Sequence, residues 1–319
     1  MKLTDAQLGY FVDNRLKLQF GKRSEYLAQV DYLIESFKAK ADETPAFGIK
    51  KFLKTGSLRK GTVLRPRDGF GVDADIAIYL KPGEDGGYDL DSLHATIRGL
   101  LIAIYTSKKP EDFTVQPRTL GITFQTSGLE VDLVPILPLD EPDDYGLQPS
   151  SRGEAPVKTS VPKQLEFIRA RKGQYAKFAS LVRLLKHWRN HQELDDSLRS
   201  FLIELIVSHL QHQEGVPASL EDGLLRFFRY VAQTELRETI WFSDNGQPTS
   251  FPKGRAVILD PVNHENNVAK RLTDDDCQEI VAKALEAWEC LTAASNNGYK
   301  GETLDYWKYV FGRSFVIEG

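Results

Sequence analysis

Residues 129–134 read Leu-Glu-Val-Asp-Leu-Val, which puts Asp132 inside what is otherwise an apolar strand. A carboxylate there is costly unless it is paired or bound to a metal, so the fold has to bring it a partner. Asp73-Ala74-Asp75 supplies one: side chains alternate faces along a strand, so the two aspartates point the same way and can share an ion. Asp132 comes from a second strand. Upstream, Lys54-Thr55-Gly56-Ser57 predicts a tight turn into a helix starting near Leu58, because glycine tolerates close backbone approach and serine suits an N-cap.

These pieces fit one chemistry. Three carboxylates on neighbouring strands can hold two Mg²⁺ ions about 3.5–4 Å apart, one activating an attacking hydroxyl and one binding a triphosphate, with Mn²⁺ able to substitute. Backbone N–H groups at Gly56 and Ser57, with the partial positive charge of a helix N-terminus, suit phosphate. Taken singly, Gly-Ser and D-x-D are common, and each carboxylate has an ordinary reading as a solvated strand-end residue. The joint pattern points to metal-assisted phosphoryl transfer with Asp73, Asp75 and Asp132 as catalytic metal ligands.

The strings Gly56-Ser57-Leu58-Arg59-Lys60-Gly61-Thr62, Asp73-Ala74-Asp75 and Glu130-Val131-Asp132 resemble the bacterial cGAS/DncV-like nucleotidyltransferases (CD-NTases) of CBASS anti-phage systems, part of the polymerase-β-like superfamily. Residues 181–188, 200–205 and 258–269 share the resemblance, which spans nearly the whole chain. Residues 167–172 and 306–312 look most like clade C. The resemblance implies an α+β fold: a polymerase-β-like nucleotidyltransferase core of mixed sheet and helices over residues 1–160, with an N-terminal bracing helix. This packs on a helical, oligoadenylate-synthase-like lobe over 161–319, with a bilobal cleft. It implies that Gly56, Ser57, Lys186 and Ser200 bind nucleotide phosphates, and that Asn267 contacts ligand or cleft backbone. The implied activity is synthesis of a cyclic oligonucleotide second messenger from NTPs, with ATP favoured and cyclic tri-AMP expected. A HORMA-domain regulator and an AAA+ remodeller are the implied companions.

Composition narrows the alternatives. With 41% hydrophobic residues in 319, the chain can bury a sizeable core in two moderate lobes. A formal net charge of −4 disfavours a constitutive nucleic-acid binder driven by electrostatics, while leaving room for a nucleic-acid activator. No stretch reads as a membrane span or a signal-peptide core, so a cytoplasmic protein without a membrane partner is expected. Cys277 and Cys290, the two cysteines, lack zinc spacing or a disulfide framework.

Periodicity predicts one helical segment over 4–42, strands over 74–80, 113–116, 121–125 and 129–137, and a helix near 90–106. Prolines 135, 138, 142, 149, 156 and 162 mark a long crossover. Helices follow at 163–171, 175–190, 197–211, 220–239 and 274–295. Over 175–190 the pattern puts Phe178, Leu181, Val182, Leu185 and Trp188 on one inward face, with Lys186 at its rim and His187 toward solvent. Asp274-Asp275-Asp276 after Thr273 reads as helix capping rather than a metal cluster. Asp260-Pro261-Val262-Asn263 reads as a turn or as a wall of the nucleotide site. Lys50, Lys51, Lys54, Arg59, Lys60, Arg65 and Arg67 balance triphosphate charge or bind nucleic acid. Three rival functions stand beside the main one: a cyclic dinucleotide or linear oligoadenylate synthase, a nucleotidyltransferase modifying RNA or a small molecule, and a catalytically silent nucleotide or nucleic-acid sensor.

Overall fold

Thr4 starts the first helix: its hydroxyl accepts from the Gln7 N–H, and the Gln7 side chain accepts from the Thr4 N–H, a reciprocal box that opens α1 (Asp5–Phe11). The computed structural model describes residues 1–44, 47–66, 71–81, 90–141 and 144–318. A single π-helical turn over Val12–Leu16 follows α1, Lys17 is extended, and α2 (Phe20–Asp42) begins after Gln19. The one helix expected over 4–42 is therefore broken. The break falls where Leu18 joins the core of the following segment while Leu16 stays with the preceding one.

Contacts divide the chain into two compact units, Leu18–Glu166 and a second made of Met1–Lys17 with Phe167–Gly319. The first residues thus pack with the C-terminal helices. The Leu3 N–H donates to Glu221 Oε2 (2.5 Å), the Leu220 N–H donates to Asp5 Oδ1 (2.6 Å), and Leu8 and Phe11 are fully buried.

The unit from Leu18 to Glu166 runs α2, β1 (Ile49–Thr55), α3 (Gly56–Lys60), β2 (Val72–Leu80), α4 (Leu90–Ile104), β3 (Phe113–Val115), β4 (Leu120–Phe124), β5 (Leu129–Pro138), β6 (Gly146–Gln148) and β7 (Val157–Thr159). The strands form one mixed sheet in the order β1-β2-β5-β4-β3, with β6 and β7 added at the C-terminal end of β5. β2 and β5 are parallel, and the other pairs are antiparallel. Strand alternation sends Ala74, Ile76, Ile78, Val131 and Leu133 into the main core with Val30, Leu33 and Phe37 of α2 and Ile97 and Leu101 of α4. The other face carries Asp73, Asp75 and Asp132 and then turns apolar, where Ala77, Tyr79 and Ile136 pack with Val161.

Sequence pattern missed β1. Its Ile-Lys-Lys-Phe-Leu-Lys-Thr sequence has three lysines and no clean alternation, as suits an edge strand that is half-buried along its length. Two of those lysines are engaged: Lys51 pairs with Asp144 at 2.9 Å and lies over the Tyr79 ring, and Lys54 pairs with Asp31. Arg67 of the same basic stretch, and Pro142 of the crossover, lie outside the described residues.

The second unit takes α5 (Val161–Gln174) from Phe167 onward, then α6 (Phe178–His191), α7 (Ser200–Glu214), α8 (Leu220–Thr234), the hairpin β8 (Leu259–Asp260) and β9 (Asn263–Asn267), α9 (Asp274–Asn296) and α10 (Lys300–Phe311). α6 is buried on nearly every side, not on one face, because the π-helical turn, α7, α8 and α10 all pack on it. His187 is accordingly buried and not solvent-facing: its Nε2 lies 2.8 Å from the Phe311 carbonyl oxygen, and Phe11 meets its ring edge-on. α8 ends at Thr234, five residues before its expected end, where Glu235 and Leu236 take φ of 52° and 58°. Thr273 and Asp276 form a reciprocal capping box at α9, as the acidic triplet suggested. Asp260 accepts from the Val262 N–H, the Asx turn its sequence called for. Among the described residues no helix is long and apolar enough to cross a membrane.

Candidate active site

Strand register builds the site. Asp75 stands opposite Thr55 on β1 and opposite Asp132 on β5; Gly121 on β4 faces Asp132, and Thr114 on β3 faces Gly121. One row thus crosses all five strands: Thr55, Asp75, Asp132, Gly121, Thr114. The adjacent row holds Asp73, Glu130 and Thr123. Residues two apart share a face, so Asp73, Asp75, Glu130 and Asp132 form a square of carboxylates on one side of the sheet. Asp73 and Glu130 are exposed, whereas Asp75 and Asp132 are half-buried. Glu130 stands in the same motif as Asp132 but was not read as part of the site; its spacing of two from Asp132 was the available signal.

The square is electrostatically loaded. Burial first, and then the charges of Asp75, Asp73 and Glu130, push the Asp132 carboxyl up to about 7. Glu130 is also raised, by burial and then by Asp73. At neutral pH Asp132 is therefore poised between protonated and ionised forms, the condition that a bound cation relieves. The donors are all carboxylate oxygens, the class preferred by hard divalent ions such as Mg²⁺. As the side chains stand, no three His, Cys, Asp or Glu groups among the described residues gather at a point to hold an ion. Chemical type and placement fit a cation, and chelation requires side-chain rotation.

Gly56 closes the square at the end of β1. Its φ is +65°, and a Cβ on it would lie 1.6 Å from Asp75 Oδ2, so both backbone and space demand glycine. The helix that follows starts at Gly56 and not near Leu58, and Thr55, not Ser57, occupies the cap position without a capping side-chain bond. Thr55 is still held in the strand opposite Asp75, so the helix begins directly after it. Ser57, half-buried, is the second residue of this five-residue turn, and its carbonyl accepts from the Thr62 N–H.

Three further expected site residues lie in the helical unit. Lys186 is 6% exposed on α6, deeper than the rim position its pattern suggested. Ser200 is the first residue of α7, and its Oγ accepts from Arg189 Nη1 at 3.2 Å. Arg189 also donates to the Leu198 carbonyl oxygen and is 8% exposed, a buried cation at the start of α7 that sequence reasoning overlooked. Asn267 is 4% exposed and engages backbone only: Oδ1 accepts from the Ile258 and Ala269 N–H groups, and Nδ2 donates to the Ala256 carbonyl oxygen. Through these bonds it staples the β8–β9 hairpin.

A glycine turn pressed against an Asp-x-Asp strand, with a third aspartate in register on the neighbouring parallel strand, defines a nucleotidyltransferase. Comparisons with known proteins agree. Residues 175–298 match the family model described as Nrap protein PAP/OAS1-like domain 5. The CBASS oligonucleotide cyclase CdnC of Escherichia coli (strain KTE188) is 37% identical over 318 residues, covering 100% of this chain and 99% of its own. The cyclic AMP-AMP-AMP synthase of Escherichia coli (strain MS 115-1) is 33% identical over 311 residues, 96% of this chain and 95% of its own. Structures of E. coli MS115-1 CdnC, solved with ATP and in a complex with HORMA-deltaN, match with a TM-score of 0.83 at 33% and 32% identity, each covering 99% of both chains. The chain belongs to the CBASS oligonucleotide cyclases. It is a nucleotidyltransferase of the α+β CD-NTase fold, and catalysis in its family is typically metal-dependent.

Proposed function

We propose that the chain joins ATP molecules into a cyclic oligoadenylate, cyclic tri-AMP, as a second messenger of anti-phage defence. The observation that carries this reading is the register of β2 on β5, which sets Asp75 directly beside Asp132 with Asp73 one row away. Identity of 33% to a cyclic AMP-AMP-AMP synthase supports the choice of adenylate and of the trimer. Asp73, Asp75 and Asp132 would hold two Mg²⁺ ions, with Mn²⁺ able to substitute, and these would supply Lewis acidity at the triphosphate and lower the pKa of the acceptor hydroxyl. Gly56 and Ser57 offer backbone N–H groups to phosphate oxygens. Asp132 takes the proton of the acceptor ribose hydroxyl as its oxygen attacks the α-phosphorus, and pyrophosphate leaves. Lys186 and Ser200 are assigned to the donor phosphates, and Asn267 to holding its hairpin.

A HORMA-domain partner is proposed because a relative was solved in such a complex; an AAA+ remodeller is proposed beside it on the family resemblance alone. A cytoplasmic site of action follows from the same reading. Purified protein incubated with ATP and Mg²⁺, treated with phosphatase and analysed by mass spectrometry should yield a phosphatase-resistant ring of adenylates. Phosphatase-sensitive chains as the sole product would overturn cyclisation, and incorporation confined to ATP/GTP mixtures would overturn the all-adenylate choice. If activity is low, a HORMA-type partner should raise it.

A further inference from the structure

Gly121 stands between Thr114 and Asp132 in the cross-sheet row and is buried. Its φ lies outside the left-handed range, so its backbone does not require glycine. Space does. A Cβ on Gly121 would lie 2.2 Å from Thr114 Oγ1 and 3.0 Å from Asp132 Oδ1, so the two oxygens converge over the glycine and stand within about 5 Å of each other. Hydrogen bonds between oxygens run about 2.7–2.8 Å, so one further oxygen can bridge them. The missing side chain lets the Thr114 hydroxyl and the carboxylate of the reaction approach over the glycine, a notch between two oxygens and not an empty pocket.

We propose that this notch seats the acceptor ribose hydroxyl, with Thr114 as the residue that holds it. The inference rests on the reaction proposed above, in which that hydroxyl must lie against Asp132. Thr114 donates a hydrogen bond to the acceptor oxygen from one side while the acceptor's own proton points at Asp132 Oδ1 on the other. The acceptor oxygen then forms a bond to the α-phosphorus of ATP, and the bond from that phosphorus to the bridging oxygen breaks. Pyrophosphate leaves with the electron pair, and the hydroxyl proton passes to Asp132. The gain is orientational, because a hydroxyl gripped at two points presents one lone pair to phosphorus. Elongation and ring closure each present a ribose hydroxyl, so both use the same seat.

Four variants test this: Thr114→Val, Thr114→Ser, Gly121→Ala and, as a control, Asp132→Asn. Pyrophosphate release, affinity for a non-hydrolysable ATP analogue and melting temperature are measured for each. Thr114→Val should lower kcat about tenfold, with KM and analogue affinity changed less than about twofold, and Thr114→Ser should restore kcat to within about threefold. Gly121→Ala should lower kcat about a hundredfold, because its methyl meets Thr114 Oγ1 and drives that hydroxyl from the seat. If it fails to fold, the Thr114 pair decides alone. Thr114→Val with kcat within twofold of the unaltered protein overturns the inference. So does equal impairment of Thr114→Ser, or a rise in KM alone, which would assign Thr114 to the donor. An inactive Asp132→Asn beside an unimpaired Thr114→Val sinks the seat and spares the proposed reaction; an active Asp132→Asn sinks the reaction itself.

Discussion

Replacing Asp132 with asparagine should stabilise the metal-free protein while abolishing turnover. Burial and three neighbouring carboxylates raise the Asp132 carboxyl from its ordinary 3.8 to about 7, so the folded state resists ionising it. The unfolded chain ionises the group near 3.8. Stability from this site is therefore fully present below pH 3.8, declines as pH rises, and is lost once pH passes about 7. At about 1.4 kcal/mol per pH unit, the gap between 3.8 and about 7 limits the cost above neutrality to about 4 kcal/mol. Asparagine keeps the shape and removes the charge. Melting curves in EDTA should show the variant several degrees more stable at pH 8.5, with the advantage shrinking toward pH 5. Added Mg²⁺ should raise the melting temperature of the unaltered protein and leave the variant nearly unmoved. A variant that melts at or below the unaltered protein at pH 8.5, with no trend in pH, refutes the account of a like-charge square.

Gly56→Ala drives a methyl into Asp75 Oδ2 at a φ of +65°; activity should fall by at least about a hundredfold and stability by about 1–3 kcal/mol, and a normal rate would remove Gly56 from the site. Asn267→Ala leaves two backbone N–H groups and one carbonyl without their partner, so melts should report a loss of about 3 kcal/mol with KM for ATP unchanged; the reverse pattern would restore Asn267 to the ligand. His94 is 7% exposed, both its ring nitrogens lack partners among the described residues, and burial pushes its pKa below 6.5. Its contribution to stability is whole above pH 6.5 and falls as pH drops below that value, so His94→Leu should flatten melting temperature against pH between 6.5 and 5, which thermal scans would check.

The strands of the candidate site were legible because their chemistry breaks the pattern of their surroundings. An aspartate within Leu-Glu-Val-Asp-Leu-Val has few physical excuses, and two-residue spacing alone put Asp73 and Asp75 on one face. Register was not legible, since alternation does not say that Asp75 pairs with Asp132 or that Glu130 meets Asp73. β1 was hidden by its lysines, whose charge masks a strand that needs only one well-buried neighbour. α6 misled in the opposite direction: its apolar stripe is real, but Arg183, Lys186, His187 and Arg189 are buried too, because neighbours surround the helix. Asn267 shows that a polar residue in a motif can serve the backbone, which its sequence alone does not distinguish from a ligand contact.

Phe11 packs against Phe315, and Leu3 bonds to Glu221, so the helical unit is knitted from the two ends of the chain. During synthesis the sheet unit, Leu18–Glu166, has all its strands before α6 has emerged, and can close first. The segment carrying Leu8 and Phe11 has to wait for α6 and α8, and Phe11 is covered only when Phe315 arrives some three hundred residues later. Such distant pairing is slow to form, and it makes the residues after the last helix a condition for covering Phe11. A chain that stops short of Phe315 carries a finished carboxylate square together with an unfinished helical unit, and the uncovered Phe11 marks it for aggregation or proteolysis.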